Sequence, residues 1–334
     1  MTDFYVNPAI GNDTNNGLGN TPAQAWATLQ KAIDTVVGGD TVYLVSAGSG
    51  NDETPLLEID FDGATGTPAT PVCFIGVNSS GVDDGTRYVI DGGLLGAGLS
   101  LFKFYTTGSY YFFKNIELNN AKDNACELAG AGTYPLLFTN CVFHGSTNSA
   151  IDSYGKGCVF YRCRFSSNGA NGCFRPWTMQ FIFCVFKDNT LEGVRVYHAD
   201  TSYLHCIFHN NGGNGGLYFE NSSCFACVFG CVFDGNAGDG IGTAAVGGPS
   251  IFASIIGNRF TNNGGLGMDI NFANGIHMED FNLFLNNGGG VKAGNIIEGG
   301  NSLTSGTEGY TNRAADDFSL TSSASLRRTK VTIP

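Results

Sequence analysis

The stretch LEGVRVYHAD, residues 191–200, gathers Glu192, Arg195, Tyr197, His198 and Asp200 within ten positions. Arg175 and Glu220 stand a short distance before and after it, and Asp152, Tyr218 and Asp269 complete the set. Two chemistries fit these residue types. A lyase needs a base to remove the proton beside a uronate carboxylate and a cation to steady the charge that forms; His198 or Tyr197 could be the base, with Arg175 and Arg195 as the cations. A hydrolase needs two carboxylates roughly 5 to 10 Å apart across a glycosidic bond, and Glu192 with Glu220 is the pair that suits. The same residues would equally form a ladder of ion pairs that only neutralises a surface. The choice rests on which of them the fold brings to one face.

A repeat supplies the fold. HCIFHNNG at 205–212 is echoed by NCVFHGS at 140, RCRFSSNG at 162, FCVFKDN at 183 and GCVFDGN at 230. Taking the cysteine as anchor gives Cys141, Cys163, Cys184, Cys206 and Cys231, and the frame continues with Asn115, Asn258 and Asn282 at intervals of 21 to 27 residues. A second apolar stretch follows each anchor by about ten residues, as in CEL from Cys126, VRV from Val194 and LYF from Leu217. A third precedes the next anchor, as in PLLF from Pro135 and FIF from Phe181. Three short strands per unit, separated by Asn/Gly turns, describe a chain wound in coils; helical repeats have longer units and the 3.6 period. This predicts an all-β parallel β-helix of about ten three-strand coils.

Stacked coils place each residue above its counterpart at about 4.8 Å. Cysteine and phenylalanine lie two apart and share a face, so columns of each fill the interior. Asparagine can replace cysteine there because it is small and its amide bonds to copies above and below. The thiols are expected to be free, since about 4.8 Å exceeds the Cβ separation of a relaxed disulfide. The residues between Cys and Phe should point outward: Val142, Arg164, Val185, Ile207, Val232, Arg259 and Leu283. Five of these are aliphatic, so the stripe of Val142, Val185, Ile207, Val232 and Leu283 is either covered by another segment or is the interface of a homotrimer. On the second strand the outward set is Asp152, Arg175, Arg195, Tyr218 and Asp269, which stacking would align with Glu192, His198 and Glu220. Sugar polymers fit such a face, arginine pairing with carboxylate or sulfate and aromatic rings lying on sugar planes.

The first 39 residues read as a strand, a loop and a capping helix. TPAQAWATLQKAIDTVVGGD offers Thr21 as N-cap, Pro22 at the first helical position, Gln24 for a capping box and Gly38 as the stop. Trp26, Leu29, Ile33 and Val36 share one face of that helix, which would plug the open end of the stack. Coils then occupy 40–310 and a closing segment 311–334, all within one structural domain.

Composition narrows the function. Among 334 residues there are 49 glycines and 26 phenylalanines, 42% are apolar and only 14% charged, which suits many turns around a large core. A net charge of −12 opposes non-specific binding to nucleic acid or anionic membrane. No stretch approaches a membrane span, and MTDFYVNPAIGNDTNNG has neither the basic region nor the apolar run of a secretory signal. Cytosolic synthesis without a signal peptide is therefore expected, followed by display on a virion or extracellular surface. No cofactor is expected. In GNDTNNG only Asp13 could ligate calcium, and an Asx-rich turn suits the loop better. Cys224, Cys227 and Cys231 hold one C-x-x-C without a second pair, a weak zinc pattern. His205 and His209 should point outward without a third ligand.

Residues 4–45, FYVNPAIGNDTNNGLGNTPAQAWATLQKAIDTVVGGDTVYLV, together with VIDGG at Val89 and DDFSLTSSAS at Asp316, resemble right-handed parallel β-helix proteins of the pectate-lyase-like superfamily. That group includes chondroitinase- and alginate-lyase-type polysaccharide lyases and phage tail-spike-like proteins. The resemblance implies the right-handed fold, with a polysaccharide or cell-surface glycan as partner, in either a tail-spike-like or adhesin-like rod or an enzyme on a probably acidic polysaccharide. After Ser323 the chain departs into ASLRRTKVTIP, so the last coil is expected to be closed by residues beyond Pro334 or by a partner chain.

Overall fold

A computed structural model describes residues 1–321 apart from 49, 63–65, 106–109, 130–134, 156, 198–199, 221–223, 245–250, 272–275, 295 and 316. Two units make up the chain, residues 1–169 and 170–334. Both are built from three parallel sheets, named here by strand order after the anchor residue.

In residues 1–169 the first-strand sheet stacks Tyr88–Asp91, Ile116–Asn119, Val142–His144 and Arg164–Ser166. Its second-strand sheet joins Ile59–Phe61, Phe102–Phe104, Cys126–Leu128 and Ile151–Ser153. The third runs from Asp3–Val6 through Thr41–Val45, Val72–Val77, Tyr111–Lys114 and Leu136–Thr139 to Val159–Tyr161. Three coils there carry all three strands, beginning at Val72, Tyr111 and Leu136.

Residues 170–334 repeat the plan in five such coils, beginning at Met179, Thr201, Cys224, Ile251 and Ile276. First strands there are Val185–Lys187, Ile207–His209, Val232–Asp234, Arg259–Thr261 and Leu283–Leu285. Complete coils are fewer than the expected ten, because the described residues before Val72 supply strands to the second and third sheets but none to the first, and the last described ones fold back.

Columns of like residues form each core. In residues 170–334 the rings of Phe186, Phe208, Phe233, Phe260 and Phe284 stack in succession with centroids 4.6 to 4.9 Å apart. Phe143 lies on Phe165 at 5.1 Å in residues 1–169. Identical side chains one strand apart adopt the same rotamer, so parallel stacking follows from registry. Cys184, Cys206 and Cys231 are buried, and the Cys206 N–H reaches Cys231 Sγ at 3.4 Å. Burial pushes the Cys206 thiol well above its usual range. Asparagine continues the column: Asn258 Oδ1 accepts from Cys231 N at 2.8 Å, and Asn258 Nδ2 donates to Asn282 Oδ1 at 3.1 Å. A second ladder follows each first strand, Asn189, Asn211, Asn236, Asn263 and Asn287, linked amide to amide at 2.8 to 3.0 Å. The ten described cysteines are all reduced.

The capping helix is shorter than its pattern predicts, spanning Leu29–Ile33 with Thr28 as N-cap. Thr21 and Gln24 form only a turn, because the main chain of Trp26 is taken by the first strand: Trp26 N donates to Tyr5 O and Asn7 N to Trp26 O. Asp13 explains the loop. Its carboxylate accepts from Ala27 N, Thr28 N and Thr28 Oγ1 at 2.8 to 3.0 Å, so it fixes the helix start.

The outward stripe is covered by the chain itself in residues 170–334. An antiparallel hairpin, Tyr310–Asn312 with Asp317–Leu320, lays Phe318 on Ile207 and Val232, with Val185 and Tyr310 beside them. Leu283 bridges Leu303 and is fully buried. In residues 170–334 the stripe is thus met by another segment of the chain, the first of the two alternatives the pattern left open, and the described residues of 303–320 turn back along the first-strand sheet. Asp234 fastens the hairpin, accepting from Arg313 Nε and Thr261 Oγ1 at 2.6 Å and facing His209 Nδ1 at 3.2 Å. Residues 322–334, including the basic tail, lie outside the described residues. No described helix is long and apolar enough to cross a membrane.

Candidate functional site

Alternation on the second strands decides what faces outward in residues 170–334. Val194 and Val196 are buried with Arg195 between them, as are Leu217 and Phe219 with Tyr218 between them. The register runs Phe174, Arg195, Tyr218 and Gly242. Phe174, not Arg175, therefore occupies the outward column. Arg175 follows the two-residue strand Cys173–Phe174 at φ 54° and sets its guanidinium 4.5 Å from the centre of the Phe174 ring.

Arg195 is the centre of the cluster. Its Nε donates to Glu220 Oε2 at 2.8 Å, a second nitrogen donates to Glu220 Oε1, and its other terminal nitrogen lies 4.0 Å from Glu192 Oε2. Glu220 is carried there by the strand end, where its N–H bonds to Val196 O at 2.9 Å. Glu192 is buried, and its Oε1 accepts from Asn214 N and Asn214 Nδ2 at 3.1 and 2.7 Å. Gly213, at φ 53°, lets the chain pass: a Cβ there would stand 3.0 Å from Glu192 Oε1. The hydrogen bond Arg195 donates to Glu220, helped by the Glu192 charge, raises the Arg195 pKa further. Burial raises the Tyr218 phenol, and Glu220, Glu192 and Asp239 add to that against the opposing Arg195 charge. Tyr218 therefore stays protonated at neutral pH.

Asp239 and Asp269 extend the face. Burial raises both carboxyls above the usual range, and the Asp269 charge adds to the effect on Asp239, whose Oδ1 accepts from Leu266 N at 2.7 Å. Glu192, Arg195, Tyr218 and Glu220 thus converge as expected from spacing. His198 lies outside the described residues. Asp200 belongs elsewhere, its carboxylate accepting from Phe225 N at 3.2 Å beside the third strands. The histidines diverge, His205 stacking on Phe183 at 5.3 Å and His209 meeting Phe318 under the hairpin. Cys227 is exposed while Cys231 is buried, and the described residues hold no group of three or more metal-ligating side chains.

Asp152 lies in an outward column as expected, but on the second-strand face of residues 1–169, where its companions Asp60, Lys103 and Glu127 were missed in the sequence. Lys103 Nζ lies 3.5 Å from Glu58 and 3.4 Å from Glu127. The same alternation in IDF, FKF and CEL would have found them. Glu53 is buried against the helix start, accepting from Leu29 N and from Tyr88 Oη at 2.9 Å; burial pushes its carboxyl up to about 7. The third-strand face of residues 170–334 carries a groove of about 480 Å³ lined by Gln180, Ser202, Phe225, Cys227, Phe252 and Ser254 among others.

Comparison with known proteins agrees with this architecture. The family model described as right handed beta helix region matches residues 103–241 and 176–305. A pectate lyase, Pel9A, superposes with a TM-score of 0.70 at 16% identity, covering 98% of this chain and 89% of its own. ORF18 of Geobacillus virus E2 gives 0.55 at 14% identity over 90% of this chain and 59% of its own. A rhamnogalacturonan lyase gives 0.53 at 13% identity over 93% and 91%. At these identities the likeness is one of fold. No curated protein sequence matches the chain.

Proposed function

Because the chain belongs to the right-handed β-helix family, we propose that it is a glycan-facing rod, displayed on a virion or cell surface, which binds a polysaccharide along the second-strand face of residues 170–334. One observation carries this reading: successive coils present Phe174, Arg195 and Tyr218 in a single outward column, with Glu192 and Glu220 held against Arg195. Aromatic rings and oriented carboxylates, one rung per coil, suit a polymer lying along the stack. Pectate lyase Pel9A and the rhamnogalacturonan lyase, both named for polysaccharide chemistry, support the substrate class, and ORF18 of the virus supports the setting.

A second reading, hydrolysis of the bound glycan, is favoured by Glu192 and Glu220 flanking one guanidinium. Their carboxylates would act as the acid and the base or nucleophile. The lyase reading, with His198 or Tyr197 as base, is weaker because the Arg195 guanidinium it needs is already paired with Glu220. Incubation with a polysaccharide panel separates the readings. A rod retains the polymer and releases neither reducing ends nor ultraviolet-absorbing unsaturated products; release of reducing ends that Glu192→Gln abolishes would replace the rod by a hydrolase.

A further inference from the structure

We infer that the glycan taken by the second-strand face of residues 170–334 is a neutral, hydroxyl-rich polymer and not a polyuronate. This rests on the binding reading above and concerns only the class of ligand. Among the described residues of that face Arg175 and Arg195 stand with Glu192, Glu220, Asp239 and Asp269, four carboxylates against two guanidiniums. Arg195 is the cation a uronate would seek, yet both oxygens of Glu220 already bond it and Glu192 closes its other side. An incoming carboxylate would have to displace one of them and leave it beside its own charge. Arg175 is turned onto the Phe174 ring.

The acidic groups also act on one another: beyond the effect of burial, the Asp269 charge raises the Asp239 carboxyl, and Glu220, Glu192 and Asp239 raise the Tyr218 phenol against the opposing charge of Arg195. Among its described residues the face therefore carries more carboxylates than cations before any ligand arrives. A polymer carrying a negative charge on each sugar meets repulsion there. Neutral sugar hydroxyls are the complement: they donate to carboxylate oxygens, while the rings of Phe174 and Tyr218 meet the C–H faces of the sugar.

The other unit repeats the pattern independently. On the second-strand face of residues 1–169, Glu58, Asp60, Glu127 and Asp152 accompany Lys103, which is bridged to Glu58 and Glu127. Burial first, and then the Glu58 charge, raise the Asp60 carboxyl.

Affinity electrophoresis of the whole chain tests the inference, using gels that contain galactomannan, a β-glucan, polygalacturonate or alginate at one low ionic strength. Wild type should be retarded by a neutral polymer and pass unretarded through both polyuronates. Glu220→Gln removes one charge and loosens the hold on Arg195, so it should gain several-fold in retardation by polyuronate. Retardation of wild type by polyuronate as strong as by the neutral gels overturns the inference while leaving the binding reading intact. An E220Q variant that polyuronate still ignores also counts against it. Failure of every gel to retard the protein defeats the binding reading, and the inference with it.

Discussion

Arg195 shows how a residue acquires a role from its neighbours. Its position between two buried valines turns it outward, and the Glu220 clamp then fixes its direction. That much was legible, because alternation on a three-residue strand leaves one choice. Arg175 was misplaced by one residue because the turn between first and second strands varies in length, and the true column member is Phe174. Tyr218→Ala should weaken glycan retention by roughly three- to tenfold with little change in melting temperature, since the side chain is half-exposed. Equal retention by wild type and variant in affinity electrophoresis would remove Tyr218 from the site.

Glu53 makes a sharper prediction at the same scale. Its carboxyl titrates at about 7 in the folded protein against 4.5 without burial. Between those values the folded state binds the extra proton, so stability falls as pH rises, by roughly 3 kcal/mol in all. Glu53→Gln keeps an acceptor for Leu29 N and Tyr88 Oη without the titration. Its melting temperature should exceed that of wild type at pH 8 and lose that advantage by pH 4.5; a constant difference across that range would contradict the burial argument.

At the scale of elements, the C-terminal hairpin is the feature the sequence hid most completely. The aliphatic stripe was evident from C-x-F spacing, but nothing in a linear pattern says that Phe318 returns to cover Ile207 and Val232. The cap shows the opposite failure: Thr21, Pro22 and Gln24 carry a helix-start pattern, yet the first strand's demand on Trp26 overrides it. Phe318→Ala should cost about 3 kcal/mol in urea unfolding and expose the stripe to a hydrophobic dye. Native-like stability with no dye binding would mean the hairpin is not what shields it. Burial alone would raise the Asp234 carboxyl, but bonds from His209, Thr261, Asn262 and Arg313 outweigh it and hold it below the usual range. Its contribution is therefore present above the unfolded value near 3.8 and lost as pH falls through the depressed one. Proteolysis of the hairpin should accelerate only in that acid range for wild type and at all pH values for Asp234→Ala.

At the scale of the whole molecule, the repeat was readable because stacking punishes any departure from it. A residue above its own kind meets the same neighbours, and columns of Cys, Phe and Asn result. The second asparagine ladder was visible only as turn residues, although each amide bonds the next rung and the carbonyl of an earlier strand. Asn236 alone accepts from Asn211 and donates to Asn263 and Phe208 O. Asn236→Ala should cost about 2 kcal/mol, because it strands buried partners on both sides, and Asn236→Asp should do no better. Thermal unfolding within a degree of wild type would show that the ladder is incidental.

What the molecule does depends on the face those ladders hold upright. A crystal structure with a bound neutral oligosaccharide is the most direct test: sugar rings should lie along Phe174, Arg195 and Tyr218, with hydroxyls on the oxygens of Glu220 or Asp269. Sugar seated instead in the third-strand groove beside Phe225 and Phe252, with the second-strand face bare, would contradict the account.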